Sequence, residues 1–214
     1  MKLYDYQTAP NPRRVRVYLA EKGISFGPDG EVDITLINTN IMTGAHKTPE
    51  FLEKNDNGQI PVLELDDGTC ITESLSICRY LEALYPKPAL FGADPVSMAL
   101  IDVQLRRIEL QLFRSIGTSW VNGPVVAKVA AGRFKQIPEA KEQSDAATHA
   151  YYRKLDKLLA KQAMMVGDEY TVVDTTAMCM IDFAASMVEL PPDPELKNLG
   201  RWLNEVHGRP SAKA

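Results

Sequence analysis

The sequence predicts an α+β domain followed by an all-α domain, and three observations support this prediction. Short β-rich runs bounded by turn residues occur only before Glu73. Three prolines and a glycine then fall within residues 85–95, YPKPALFGADP, a composition typical of a connection between domains. Beyond this stretch, apolar residues recur at helical spacing. We therefore expect an α+β domain at 1–84, a linker at 85–94 and a helical domain at 95–214.

Composition favours a small-molecule partner. The chain has 214 residues, of which 45% are hydrophobic, enough for two small cores. Its 24 basic and 28 acidic residues give a net charge of −4, which argues against nucleic acid or an anionic membrane as the main partner. Residues 1–5 show no secretory signal, and the apolar stretch at 177–181 is interrupted by Asp182, far short of a membrane span. We expect a cytoplasmic protein.

The chain has three cysteines and three histidines, and their spacing predicts neither a disulfide framework nor a metal site. The residues are Cys70, Cys78, Cys179, His46, His149 and His207. The cysteines fall in apolar or hairpin patterns and are expected to be small buried hydrophobes.

The N-terminal elements predict a βαβ unit. A strand is expected at Lys2–Tyr6, followed by a helix that opens at Asn11 as its cap, with a proline in the first turn. Gly23 supplies the stop, and Gly27–Gly30 is a loop signal before a second strand at Glu31–Leu36. In the helix, Arg13, Arg14 and Arg16 are expected to form an exposed face; the alternative is a role in a dimer contact or near a ligand.

A hairpin and a helix complete this domain after an irregular stretch at Asn40–Asn57. Ile60–Leu65 and Thr69–Thr72 flank the turn signal Asp66-Asp67-Gly68. Pro61 is unusual near the start of a strand, and either an edge-strand trans proline or a cis Ile60–Pro61 bond explains it. The cis form would turn backbone groups of Ile60 outward, where a peptide-like ligand could pair with them.

The next helix begins at Glu73-Ser74. Its apolar residues recur at helical spacing: Ile77, Tyr80, Leu81 and Leu84. A serine hydroxyl with free N–H groups at a helix N-terminus holds a carboxylate, and an adjacent glutamate holds an ammonium group. Two interpretations stay open: a helix cap with an acidic first turn, or a grip on the head group of an α-amino acid.

Four helical features are expected in the second domain. A long apolar stripe runs from Val96 to about Ala130, broken near Gly117 and at residues 122–124. A second helix is expected from about Pro138 to Gln162, and a last helix from Pro194 to about His207. Between them, Thr171 and Asp174 have the spacing of a capping box, which we interpret as structural.

The Ile60-Pro61-Val62 strand, the hairpin turn and the Glu73-Ser74 helix start together resemble the glutathione site of the glutathione S-transferase family. The resemblance extends over nearly the whole chain and implies a thioredoxin-like first domain. By position it implies that Ile60, before a cis Pro61, pairs with the cysteinyl backbone of glutathione. Glu73 and Ser74 then bind the γ-glutamyl end.

The resemblance leaves the activation of the glutathione thiol open. Ala9 stands where theta-like members have a serine, whereas Ala9-Pro10-Asn11 is similar to the Thr-Pro-Asn of nu-class members. This similarity implies that the Asn11 amide donates to sulfur, while the residues themselves equally predict a helix cap. Thr8 and Tyr6 are the reserve candidates, and Tyr4 is a weaker one.

Two basic residues are candidates for the glycyl carboxylate. His46 precedes Ile60 by fourteen residues, the offset of a glycine-binding histidine in theta-like members, and Lys47 is adjacent. The alternative is a solvated loop. For the second substrate, the long helix offers five candidates that could equally be core or interface: Arg106, Arg107, Phe113, Arg114 and Trp120.

The resemblance implies a homodimeric glutathione transferase that conjugates glutathione, as co-substrate, to small hydrophobic electrophiles in detoxification, without a metal. Two alternatives remain: a nu-like glutathione-dependent disulfide-bond reductase, or a non-catalytic glutathione-binding protein of the same fold.

Overall fold

The computed structural model describes residues 1–25, 30, 32–129 and 135–214. Contacts divide the chain into two compact units, one formed by residues 1–90 with 209–214 and the other by 91–208. Residues 209–214, predicted within the helical domain, thus pack with the first unit. Of the predicted loop at 27–30, only Gly30 lies in the described part. No helix in the described ranges is both long and apolar enough to cross a membrane.

The first unit is built on a four-stranded mixed sheet. Its strands are β1 (Lys2–Asp5), β2 (Thr35–Asn38), β3 (Val62–Glu64) and β4 (Cys70–Ile71), in the order β2-β1-β3-β4. β1 is parallel to β2 and antiparallel to β3, and β3 pairs antiparallel with β4. The predicted hairpin and βαβ unit are therefore confirmed. The second strand begins later than predicted, at Thr35, and Glu31 lies outside the described residues.

In the described part of this unit, three α-helices accompany the sheet: α1 (Pro10–Glu21), α2 (Pro49–Leu52) and α3 (Ser74–Leu84). The predicted start of α1 is corrected, because Ala9 occupies the cap position and Asn11 is already helical. Pro10 explains the shift, since its fixed φ suits the first position of a helix. Gly23, at φ +68°, follows the end of α1 as predicted.

The predicted exposed arginine face of α1 is wrong, because Arg13 is half-buried and the other two arginines are buried. Arg14 is 1% exposed and Arg16 is 3% exposed. Nη1 of Arg14 donates to the Ser74 hydroxyl, while Arg16 forms an ion pair with Asp5 and donates to the carbonyl of Gln7. Both charges are therefore part of the interior of the first unit.

The stretch predicted as irregular contains two helical turns. A 3₁₀ turn spans Ala45–Lys47, and Thr48 then caps α2 by accepting a hydrogen bond from the Phe51 N–H at 3.4 Å. Such short turns have no apolar period of their own, so sequence spacing does not reveal them.

The second unit is helical, as predicted. Its elements are α4 (Pro95–Arg107), a π-helical segment Ile108–Phe113, α5 (Arg114–Val121), α6 (Pro124–Val129), α7 (Pro138–Leu159), α8 (Val172–Phe183), a second π-helical segment Ala184–Val188, and α9 (Lys197–His207). The predicted break at Gly117 is wrong, because α5 continues through it; one glycine costs only about 1 kcal/mol in a helix. The interruption at residues 122–124 is confirmed.

The predicted capping box at the start of α8 is confirmed. The Thr171 side chain accepts from the Val173 N–H, and the Asp174 carboxylate accepts from the Thr171 N–H. Asp174 is fully buried and also accepts hydrogen bonds from the Met165 N–H and the Trp202 indole. This carboxylate thus joins the start of α8 to α9 and to the preceding loop.

Glu64 on β3 supports a prediction about pH. Its carboxylate accepts hydrogen bonds from Lys54 at 2.7 Å, Tyr4 at 2.6 Å and Lys2 at 2.9 Å, and these donors lower the pKa of Glu64 from 4.5 to about 2. Because the folded-state pKa is depressed, this stabilisation is present above pH 4.5 and is lost as the pH falls toward 2. Glu64→Gln should lower the free energy of unfolding by about 1–2 kcal/mol at pH 7.

The difference between Glu64→Gln and the parent should shrink between pH 4.5 and 2, as measured by urea unfolding across this range. Glu50→Gln, at an exposed carboxylate of α2, is the control and should change little. A stability difference that stays constant as the pH falls would contradict the assignment.

Candidate functional site

The N-terminus of α1 has an unusual set of donors. Pro10 and Pro12 have no N–H, so Asn11 supplies the backbone donor within the first three residues of the helix. The side-chain oxygen of Asn11 is buried and has no hydrogen-bond partner within the described residues. It caps no N–H group, and the predicted cap role is therefore wrong.

The reserve candidates lie just before this helix. Thr8 is exposed and Tyr6 is half-buried, and the Tyr6 carbonyl accepts a hydrogen bond from the Ala9 N–H at 2.9 Å in a tight turn. The Tyr4 hydroxyl is instead occupied by Glu64. Tyr6, Thr8 and Asn11 thus belong to one short stretch between β1 and α1, while Tyr4 belongs to the sheet.

Glu73 and Ser74 lie at the N-terminus of α3, where the backbone is strained and the serine is buried. Glu73 occupies the cap position with φ +61° and ψ 116°, in the region that favours glycine, and its exposed side chain makes no capping hydrogen bond. The cap interpretation therefore fails for Glu73. Ser74 is only 6% exposed and is the first residue of the helix. Strain of this kind, held by the surrounding structure, is common at ligand-binding sites.

Sequence reasoning placed Arg14 near a ligand only as an alternative to an exposed face, and it did not predict the contact with Ser74. Nη1 of Arg14 donates to the Ser74 hydroxyl at 2.8 Å, which places a buried positive charge directly beside the start of α3. A low-dielectric setting strengthens the attraction of such a charge for an anion. One signal was present in the sequence: Arg14 lies four residues before Tyr18, on the buried side of α1. The preference of arginine for the surface obscured it.

The Ile60–Pro61 peptide bond is cis, so the second of the two alternatives for Pro61 is the one found. Ile60 is half-buried and precedes β3, and its backbone N–H and C=O have no hydrogen-bond partner within the described residues. An extended peptide could therefore pair with this residue as an added strand does.

The loop with His46 and Lys47 packs against the segment that leads to Ile60. The Lys47 ammonium donates to the Asn57 carbonyl at 3.1 Å. A Cβ atom on Gly58, which has φ +55°, would lie 2.7 Å from Lys47 Nζ and 2.8 Å from the His46 carbonyl oxygen. The Lys47 ammonium and the His46 backbone are thus held beside the segment that leads to Ile60, although their sequence spacing alone also allowed a solvated loop.

The candidates for a second-substrate pocket are not all alike. Arg106, Arg107 and Arg114 are exposed, whereas Phe113 and Trp120 are half-buried. Trp120 packs edge-to-face on Phe183 with ring centroids 5.2 Å apart, so part of its surface belongs to the core of the helical unit.

The sheet order, with one parallel and two antiparallel pairings, defines a thioredoxin-like domain, and an all-helical unit follows it. Family models agree with this class. Residues 3–89 match "Glutathione S-transferase, N-terminal domain", and residues 124–210 match "Glutathione S-transferase, C-terminal domain".

Known proteins extend the match over the full length. Glutathione S-transferase 2 of Saccharomyces cerevisiae is 34% identical over 217 residues, which cover 100% of this chain and 88% of the relative. The crystal structure of Gtt2 from Saccharomyces cerevisiae has a TM-score of 0.89 at 32% identity, over 100% of this chain and 99% of the other. A glutathione S-transferase domain-containing protein of Marinobacter aquaeolei has a TM-score of 0.85 at 33% identity, over 99% of both chains.

The chain therefore belongs to the glutathione S-transferase family. The predicted fold class and the predicted assignment as a glutathione transferase are confirmed. The roles of individual residues remain predictions.

Proposed function

We propose that this protein conjugates the thiolate of glutathione to small hydrophobic electrophiles, as a cytoplasmic detoxifying enzyme. One observation above all supports the proposal: the 2.8 Å hydrogen bond from Arg14 to Ser74, which ties the helix carrying Asn11 to the helix carrying Glu73 and Ser74. The proposed sulfur donor, Asn11, and the proposed binding residues for the γ-glutamyl end, Glu73 and Ser74, are thereby connected within the first unit.

Each part of the glutathione tripeptide has a proposed partner. The γ-glutamyl carboxylate accepts from Ser74 and from N–H groups that begin α3, and the Glu73 carboxylate pairs with the α-ammonium. The cysteinyl backbone pairs with Ile60, beside Pro61, in the manner of an added strand. His46 and Lys47 provide positive charge for the glycyl carboxylate.

Asn11 is proposed to activate the thiol. A free cysteine thiol has a pKa of about 8.5, so the enzyme must favour the thiolate to obtain a nucleophile at neutral pH. Two N–H groups of Asn11, one from the backbone and one from the side chain, lie at the positive end of the α1 dipole. Donors already oriented toward the developing charge stabilise it without reorganisation. Thr8 and Tyr6 are the alternatives if Asn11 does not contact sulfur.

The first test is a calorimetric titration with glutathione, followed by conjugation to an aryl halide and by glutathione-dependent disulfide reduction. Binding with conjugation supports the proposal. Disulfide reduction without conjugation would support the second candidate, a nu-like reductase, which the stretch Ala9-Pro10-Asn11 favours. Binding without either reaction would identify a non-catalytic glutathione-binding protein.

Asn11→Ala should separate binding from activation. Because the grip on glutathione comes from its two charged ends and from Ile60, affinity should stay within a few-fold of the parent. The pKa of the bound thiol should rise, at about 1.4 kcal/mol per unit, since one donor to the thiolate is lost. Conjugation near pH 7 should fall and partly recover as the pH rises. Ultraviolet titration of the bound thiolate measures the shift directly.

Asn11→Asp is the second variant in this test. Asn11 caps no N–H group, so neither substitution removes a helix cap, and the aspartate places a negative charge next to sulfur. The thiol pKa should rise further in Asn11→Asp than in Asn11→Ala. If neither variant moves the titration, the activating donor is Thr8, Tyr6 or a backbone N–H.

We further propose a homodimer, supported by an apolar surface on α4. Val96, Leu100 and Val103 follow one another at helical spacing and are 68%, 54% and 43% exposed. Sedimentation equilibrium should show a dimer at micromolar concentration, and Leu100→Glu should weaken it by burying an unpaired charge. Ile137→Glu, at another exposed apolar residue, should leave the dimer intact. A monomeric parent would refute the proposal.

The cytoplasmic location agrees with the cysteines. Cys70, Cys78 and Cys179 form no disulfide bond, and Cys78 and Cys179 are buried. A reducing compartment keeps thiols in this state.

A further inference from the structure

The last six residues of the chain lie along α1. Arg209 donates two hydrogen bonds to the carboxylate of Glu21, the final residue of the helix: Nε to Oε1 at 2.7 Å and Nη2 to Oε2 at 2.6 Å. The Ser211 hydroxyl also donates to Glu21. The Glu21 side chain is only 6% exposed and the Arg209 side chain is 38% exposed, so the carboxylate is shielded from water while the guanidinium is partly solvated.

A second contact lies two helical turns away. Nη2 of Arg13 donates to the Ala212 carbonyl at 3.0 Å. Arg13 and Glu21 are eight residues apart and therefore face the same side of α1, about 12 Å from each other along its axis. Val17, midway between them, is fully buried. The C-terminal segment thus holds α1 at two separated points on one face.

The Arg13 contact is close to the candidate sulfur donor. Arg13 is two residues from Asn11, and between them lies Pro12, whose fixed φ stiffens the connection. A helix moves as a nearly rigid rod, so a change at one anchor displaces the other end. Catalytic groups are sensitive to such movement, since a displacement of about 1 Å can cost 100-fold in rate.

We propose that the segment Arg209–Ala214 is a positioning clamp. It holds α1 in place, and thereby keeps Asn11 within hydrogen-bond distance of the bound thiol. Glu21 and Arg209 are its positioning residues. They act through α1 and contact neither glutathione nor the electrophile. The inference rests on the proposed function, because it takes Asn11 to be the donor to sulfur.

Arg209→Lys is the most informative variant, since it keeps the positive charge and removes the planar fork that binds both oxygens of Glu21. In the full-length protein, the bound thiol pKa should rise by about 0.5–1 unit, so the thiolate fraction below that pKa falls about three- to tenfold. The kcat for aryl-halide conjugation at pH 6.5 should fall by a similar factor and recover at pH 8.5. The glutathione dissociation constant should change less than about twofold, because the partners of its charged ends are untouched.

Glu21→Gln should act in the same direction, and Arg209→Lys combined with Glu21→Gln should be no worse than the stronger single variant. Ser211→Ala, which removes one donor to Glu21, gives a milder test if either variant fails to fold. Arg201→Lys is the matched control: Arg201 of α9 donates to the carbonyls of Leu159 and Gln162 within the helical unit. It should leave the thiolate titration unchanged.

The outcomes separate the clamp from the proposed function. A parent that forms no bound thiolate refutes both. A parent with a normal thiolate signal, together with folded clamp variants whose titration matches the parent, refutes the clamp alone. An equal shift in Arg201→Lys, or a loss of glutathione affinity as large as the loss of kcat, would likewise refute it, because either result describes general destabilisation.

Discussion

Asp174→Ala should lower the free energy of unfolding by about 3–5 kcal/mol, the largest effect on stability that we expect in this protein. Four donors converge on this buried carboxylate: the N–H groups of Met165 and Thr171 and the Trp202 indole, each at 2.9 Å, and the Thr171 hydroxyl at 3.1 Å. Alanine would leave these donors buried without an acceptor, and each would lose its compensation for desolvation. Urea unfolding followed by circular dichroism measures the change.

Thr171→Ala is the internal comparison for this prediction. It removes a side chain that caps α8 and retains the backbone donor to Asp174, so it should cost only about 1 kcal/mol. Neither variant should alter glutathione affinity in protein that remains folded, because all the groups involved belong to the helical unit. If the two variants cost the same, Asp174 acts only as a member of the capping box, and its link to Trp202 contributes nothing.

Arg14→Met should weaken glutathione binding by about 2–4 kcal/mol, the largest effect on affinity that we expect. The buried guanidinium of Arg14 donates to Ser74, the proposed partner of the γ-glutamyl carboxylate. Methionine preserves most of the apolar stem but removes both the donor that orients Ser74 and the positive charge beside the carboxylate. Calorimetric titration with glutathione gives the change in affinity, with circular dichroism to verify folding.

Arg16→Met provides a matched control on the same helix. Arg16 is also buried, but its partners are Asp5 and the Gln7 carbonyl. Both substitutions should reduce stability, whereas only Arg14→Met should reduce affinity strongly. Ser74→Ala should cost about 1–3 kcal/mol in binding, and the double variant should cost less than the sum of the two single changes. Equal losses of affinity in Arg14→Met and Arg16→Met would rule out a specific role for Arg14.

Local chemistry explains which parts of the fold were predictable. The hairpin around Asp66-Asp67-Gly68, the stop at Gly23 and the capping box at Thr171 all depend on residues that are close in sequence, and the structure confirms each one. The start of α1 was predicted less well, because an asparagine before a proline and a proline at the first helical position are competing signals.

The features that the sequence did not predict depend on contacts between residues far apart in the chain. Arg14 is separated from Ser74 by 60 residues, and Arg209 from Glu21 by 188. No periodicity within α1 indicates that such distant partners would make the burial of a charge acceptable. The two π-helical segments, at Ile108–Phe113 and Ala184–Val188, were likewise beyond prediction, because the apolar stripe of a helix continues across them.

The backbone of Glu73 also has an evolutionary consequence. At φ +61° an L-amino acid pays a steric cost that glycine would not, so a substitution to glycine is the obvious route to a more heat-resistant protein. The same substitution would remove the carboxylate proposed to hold the ammonium group of the ligand. Directed evolution for thermal tolerance alone should therefore select glycine at position 73. Retention of glutamate under that selection would indicate that ligand binding is also being selected.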